Sequence, residues 1–151
     1  MLDREKAGDH CDIHVVVLGK DGSQSRTRVS STLWDVDACP MTYFALSATA
    51  EGYVAAWPTK GDIYFARMDR KGKVVAPGEV KTPGRSGMRS GVVALGGPNG
   101  ATLIAWKHEG ELGWQVYDRE GRAQGPPESA RAPGKGAAGL VDEHGRFILF
   151  P

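Results

Sequence analysis

Residues 103–122, LIAWKHEGELGWQVYDREGR, repeat residues 54–73, VAAWPTKGDIYFARMDRKGK, at a spacing of 49. Over residues 56–79 that shift aligns Ala56 with Ala105, Trp57 with Trp106, Gly61 with Gly110 and Asp69 with Asp118. It also aligns Arg70 with Arg119, Gly72 with Gly121, Pro77 with Pro126 and Glu79 with Glu128. The register runs backwards as well, since YFAL at 43–46 falls on VVAL at 92–95. An earlier copy, IHVVVLGKDG at 13–22, lies on IYFARMDRKG at 63–72 at a shift of 50, and the last residues, GLVDEHGRFILF, read as the start of a further unit. A fixed period of this size marks a repeat architecture.

Each unit carries strand and turn signals. The runs YFALSA, YVAAW, IYFARM and KVVAP are short, rich in β-branched and aromatic residues, and closed by Gly, Asp or Pro. No window holds an apolar 3.6 period beyond a turn or two, so no helix is expected. Four short antiparallel strands per unit of about 50 residues predict an all-β fold of β-propeller blades. A β-sandwich is the rival, but it does not require regular four-strand repeats. The expected layout is one partial propeller domain over 1–151: a half blade at 13–29, blades at 43–79 and 92–130, and a half blade at 137–150. That is about three blades' worth, an incomplete ring where propellers close with typically 4–8 blades. Either a propeller half lies elsewhere in a longer protein, which is favoured, or two copies join head to tail as a homodimer of about six blades.

Composition narrows the function classes. Lys and Arg number 19 against 18 Asp and Glu, which gives no electrostatic footprint for nucleic acid or a membrane surface. Glycine (21) and proline (9) make up about a fifth of the chain against roughly 12% in average usage, consistent with many turns. The longest apolar runs, VVVL and FILF, are far short of the ~20 residues of a membrane span. MLDREKAGDHCD has no apolar stretch of the secretory kind, so an extracytoplasmic location is favoured only if a signal peptide lies upstream. No metal site is expected, because neither Cys11 nor Cys39 has a His or Cys at zinc-binding spacing, and no cofactor is expected.

In a propeller, the loops joining strand 4 to the next strand 1 share a face with the 2–3 turns, and ligands gather there. The loops 30–42 and 78–90 carry Trp34, Asp35, Asp37, Arg85 and Arg89, and the KHEG turn adds Lys107, His108 and Glu109. Arg89 precedes an inner strand, where a guanidinium could clamp a carboxylate; solvated loop charge is the bland alternative. Cys11 and Cys39 fall on this same face in adjacent blades, compatible with a disulfide, against which stands a pair of buried thiols acting as apolar filler. Trp57 and Trp106 end successive second strands and are read as packing between blades. Asp69, Gly72, Asp118 and Gly121 sit in the 3–4 turns, where an Asp carboxylate accepts backbone N–H groups and Gly supplies positive φ. Their reading is structural.

The Asp/Gly turn between strands 3 and 4 resembles the BNR or Asp-box repeat of sialidase-like propellers, whose fullest form is Ser-x-Asp-x-Gly-x-Thr-Trp. GKDGSQSR at 19–26 keeps Asp21 and places Ser25 near the Thr position, while Gly19, Ser23 and Arg26 replace the expected Ser, Gly and aromatic. CDIHVVVLGKDG followed by DACPMTYFAL also looks like uncharacterised bacterial exo-sialidase-like proteins. The resemblance implies an acidic-glycan ligand, an arginine cluster for its carboxylate, a Tyr nucleophile activated by Glu, and an Asp acid/base. Arg85 and Arg89 suit the cluster, and Asp35 or Asp37 beside Trp34 suit the acid. No Tyr–Glu pair stands out on the loop face. A non-catalytic propeller scaffold for protein or glycan binding is the alternative.

Overall fold

The computed structural model describes residues 2–4, 11–34, 43–87, 90–134 and 136–151, the first three as backbone. Among these residues the chain is all-β. Its strands are β1 (Leu2–Arg4), β2 (Cys11–Leu18), β3 (Gln24–Arg28), β4 (Ala45–Ala48), β5 (Gly52–Thr59), β6 (Asp62–Asp69), β7 (Val80–Arg85), β8 (Val92–Gly96), β9 (Thr102–His108), β10 (Glu111–Tyr117), β11 (Glu128–Arg131), β12 (Ala138–Val141) and β13 (Phe147–Phe150). One turn of 3-10 helix, Pro98–Gly100, joins β8 to β9. The strands form four antiparallel sheets in chain order: β1-β2-β3, β4-β5-β6-β7, β8-β9-β10-β11 and β12-β13. No closed ring forms among them.

Alternation along each strand feeds two cores at once. Val54, Ala56, Ile63 and Phe65 of the second sheet meet Val92, Ala94, Ile104, Trp106 and Tyr117 of the third. Their neighbours Ala55, Trp57, Ala66 and Met68 turn the other way, onto Ile13, Val15 and Val29 of the first sheet. The third sheet likewise gives Val93, Leu95, Leu103, Ala105 and Leu112 to Val141, Phe147 and Leu149 of the fourth. The repeat therefore carries direction as well as residue type. A shift of 49 takes Val54 to Leu103 and Trp57 to Trp106, and in each pair both members face the same way along the stack. Central strands buried on both faces explain the near-continuous apolar runs of β5 and β9.

The turns repeat too. Lys60–Gly61 and Glu109–Gly110 are two-residue hairpin loops with φ of 54°, 81°, 49° and 81°, the type I′ geometry whose twist suits adjoining strands. In the turns that follow β6, β10 and β12, Asp69, Asp118 and Asp142 each use Oδ1 to accept the backbone N–H groups two and four residues on, at 2.8–3.0 Å. The turn after β2 has Gly19 in that place, and there Asp21 accepts from Ser23 instead.

The fourth strand of a unit differs from the sequence expectation. KVVAP contributes only the isolated bridge of Val74 with Met68, and the edge strand is β7, VKTPGR, within the stretch expected to be a loop. Pro83 and Gly84 disguise it, yet at a sheet edge a missing N–H costs little. A bulge opposite Ile63 absorbs the misfit, with Thr82 Oγ1 donating to the Ile63 carbonyl and accepting from Gly84 N–H, both at 3.0 Å. The N-terminal unit also holds a third strand, since β1 pairs with Cys11–Ile13 of β2.

Candidate functional site

A cleft of about 490 Å³ opens between the second and third sheets on the side of the two-residue hairpin loops. Pro83 and Arg85 of β7 form one wall. Trp106 and His108 of β9, Glu109 of the turn, Glu111 and Gly113 of β10, and Pro127, Glu128 and Ser129 at β11 form the other. Pairing of Trp106 with Gly113 across β9 and β10 explains the floor. With no side chain at 113, the indole lies flat across its neighbour, and Gly84 of β7 closes down on it from the second sheet. A Cβ built at either glycine would come within 2.4 Å of the ring. Trp106 is only 9% exposed, yet it lines the cleft.

The polar groups are mostly acceptors. Glu109, Glu111 and Glu128 line the cleft, and His108 Nδ1 is buried with no hydrogen-bond partner among the described residues. Gly87 leaves space beside that nitrogen, its built Cβ standing 3.8 Å away. Arg85 is already engaged, because its guanidinium pairs with Asp62, which also accepts from Lys81 Nζ at 2.6 Å. The Lys81 ammonium, followed by the Arg85 charge, holds the Asp62 carboxyl below its ordinary value.

Of the residues singled out in the sequence, the structure brings Arg85, His108 and Glu109 together in this cleft, with Trp106, read as packing, at its floor. Trp34 lies elsewhere, its carbonyl accepting the N–H of Cys11 at 2.8 Å. Asp35, Asp37, Arg89 and Cys39 lie outside the described residues, and with Cys39 the expected disulfide. Lys107, read as part of a ligand-facing turn, is instead buried, its ammonium on the carbonyl of Ala132. Trp57 is fully buried in the core between the first two sheets. Asp118 is held below the usual carboxylate value, chiefly because the Arg122 backbone N–H stabilises the anion, and it belongs to a turn away from the cleft lining.

Glu111 and Glu128 are the cleft residues that sequence reasoning missed as site residues. Glu128 was visible only as the repeat partner of Glu79, and identity between copies argued for structure. Among the described residues, no group of three or more His, Cys, Asp or Glu side chains could hold a metal ion, and no helix is long and apolar enough to cross a membrane. No family model, curated protein or solved structure matches the chain.

Proposed function

We propose that the chain is part of a sialidase-like β-propeller and that it binds a glycan, without cleaving it, in the cleft between the second and third sheets. The propeller reading is supported by four antiparallel sheets stacked in chain order, with a period of about 49 that preserves the direction each side chain faces. The observation that carries the binding reading is the lining itself. Three carboxylates, an imidazole nitrogen without a partner among the described residues and Trp106 line it, an acceptor-rich wall suited to the O–H donors of a neutral sugar. An acidic sugar is less favoured, since Arg85 would have to leave Asp62 to meet its carboxylate. Hydrolysis is less favoured again, since the described lining includes no tyrosine to act as the nucleophile the resemblance implies.

Titration calorimetry with neutral cello-, malto- and xylo-oligosaccharides and with sialyllactose tests the reading, beside a fluorogenic sialoside assay. Expected are binding of a neutral sugar, a loss of about tenfold or more in Glu111→Gln and Glu128→Gln, and no turnover. Sialyllactose binding abolished by Arg85→Ala would move the assignment to acidic glycans, and sialoside hydrolysis would overturn the non-catalytic reading.

A further inference from the structure

The boundary between the second and third sheets turns polar at its other end, away from the cleft. The equivalent positions of the preceding boundary are apolar, since Val17 of β2 and Tyr53 of β5 pack against the core between the first two sheets. A shift of 50 carries Val17 to Arg67, and a shift of 49 carries Tyr53 to Thr102. Both replacements are buried, at 8% and 1% exposure. Alternation sets their direction. Arg67 follows Ile63 and Phe65 along β6, and Thr102 precedes Ile104 and Trp106 along β9. The two side chains therefore leave on the faces that these sheets turn to each other.

Between them lies a chamber of about 10 Å³, bordered by Thr49, Glu51, Arg67, Gly97, Gly100 and Thr102 among others. That is close to the room one water molecule requires, roughly 10–15 Å³. Its wall holds hydrogen-bonding groups that the protein itself does not match. Thr102 Oγ1 is shut off from solvent and has no partner among the described residues, an arrangement that costs stability when nothing satisfies it. Arg67 donates one N–H to the carbonyl of Arg119 and another to Glu51 Oε2 at 3.3 Å, out of the five that a guanidinium carries. Glu51 also pairs through Oε1 with Arg119 Nη2 at 2.6 Å, which leaves acceptor capacity on both of its oxygens.

We propose that this chamber is a binding site for a single water molecule, which accepts from Arg67, donates to Glu51 and shares its remaining bond with Thr102 Oγ1. The requirements converge on that ligand. The occupant has to be about one heavy atom in size and has to donate and accept at once. It also has to be neutral, because it lies between a guanidinium and the carboxylate that balances it. A small anion would meet the charge of Glu51, and a small cation that of Arg67. Three partners is the usual number for an enclosed water. Thr102 belongs to the third sheet, whereas Arg67 lies on β6 and Glu51 in the turn joining β4 to β5. The water is thus a joint between two sheets, at the end of their boundary opposite the cleft. It replaces the direct apolar contact that Val17 and Tyr53 make one boundary earlier. The site stands whether or not the cleft binds a glycan.

A crystal structure of the chain that resolves solvent, together with urea unfolding of Thr102→Val, tests the site. Expected is one ordered water at about 2.7–3.2 Å from Thr102 Oγ1, Arg67 and Glu51. Valine keeps the shape of threonine and removes the hydroxyl, so the sign of its effect separates two cases. Where the hydroxyl holds a water, Thr102→Val breaks a bond and lowers the urea midpoint, which is the expected result. Where the chamber is dry, the same change removes an unsatisfied buried hydroxyl and raises the midpoint. Absence of solvent density from the chamber would overturn the proposal. So would density that is present while Thr102→Val unfolds at an equal or higher midpoint, because Thr102 would then not be holding the water.

Discussion

Gly113→Ala puts a methyl group where the indole of Trp106 already stands. A Cβ at 113 would lie 2.4 Å from Nε1, 2.7 Å from Cε2 and 3.0 Å from Cζ2, whereas ordinary contacts are at about 3.5–4.0 Å. The ring must withdraw by roughly 1 Å, but towards the second sheet it meets Gly84, whose built Cβ is 2.4 Å from Cδ2. Overpacking of this kind costs about 1–3 kcal/mol. Restriction of the unfolded chain by alanine returns about 0.4–1 kcal/mol. A net loss of about 1–2 kcal/mol follows, which for a domain of this size lowers Tm by about 2–8 °C. Gly136 is the control, since it has nothing within 4 Å of its built Cβ and no left-handed φ, and its alanine variant should be neutral or slightly stabilised. Gly84→Ala presses on the same ring from the other sheet, so the double variant should lose more than the sum of the singles. Displacement of the indole into the cleft it lines would appear as increased acrylamide quenching of tryptophan fluorescence. Equal stability of Gly113→Ala and Gly136→Ala in urea would refute the packing described for Trp106, and with it the floor of the candidate site.

Three further tests address the connections and the charges. Glu79 Oε2 accepts from the backbone and side chain of both Ser31 and Thr32, three of these bonds at 2.8–3.1 Å, so Glu79→Ala should cost about 2 kcal/mol in urea unfolding and Glu79→Gln distinctly less. Asp21, Asp62, Asp118 and Asp142 are all held below their ordinary value in the folded chain, by Ser23, Lys81, Arg122 and Arg146 respectively; they add stability that is present above about pH 4 and lost as pH falls further. The drop in urea midpoint below that point should shrink in Asp142→Asn. At the alkaline end burial raises Tyr117 to about 12, so its phenolate absorbance at 295 nm should lag the ordinary tyrosine value of about 10 and stability should fall across that interval.

Much of this architecture was legible because repetition is a stronger signal than propensity. Eight identities at one spacing located the second and third sheets, and the alternation of Val54, Ala55, Ala56 and Trp57 already contained the two faces. The fourth strands were hidden for a physical reason. An edge strand needs bonds on one side only, so β7 tolerates Pro83 and Gly84, and all four residues of β11, Glu128–Arg131, are exposed. Nothing apolar or periodic marks such a strand. The site was legible in part: Arg85, His108 and Glu109 line a common cleft, but its other two carboxylates, Glu111 and Glu128, came from β10 and β11, where exposed glutamates are the rule.

The cleft between the second and third sheets is lined at positions where the two copies differ. Trp57 pairs across the strands with Tyr64, which packs into the core shared with the first sheet; Trp106 pairs with Gly113, and no ring fills the corresponding space. Glu79 is taken up by the Ser31–Thr32 connection, whereas its repeat partner Glu128 faces the cleft. Thr59 is buried in the place where His108 is partly open. The second and third units share their tryptophan, their turn glycines and their turn aspartate, because each sheet must pack on the next. Recognition needs only one boundary left open. Residues shared by the copies therefore report the fold, and residues present in a single copy report the site, with Glu79 and Glu128 as the instructive exception: one side chain, kept in both copies, closes a loop in the first and is left for a ligand in the second.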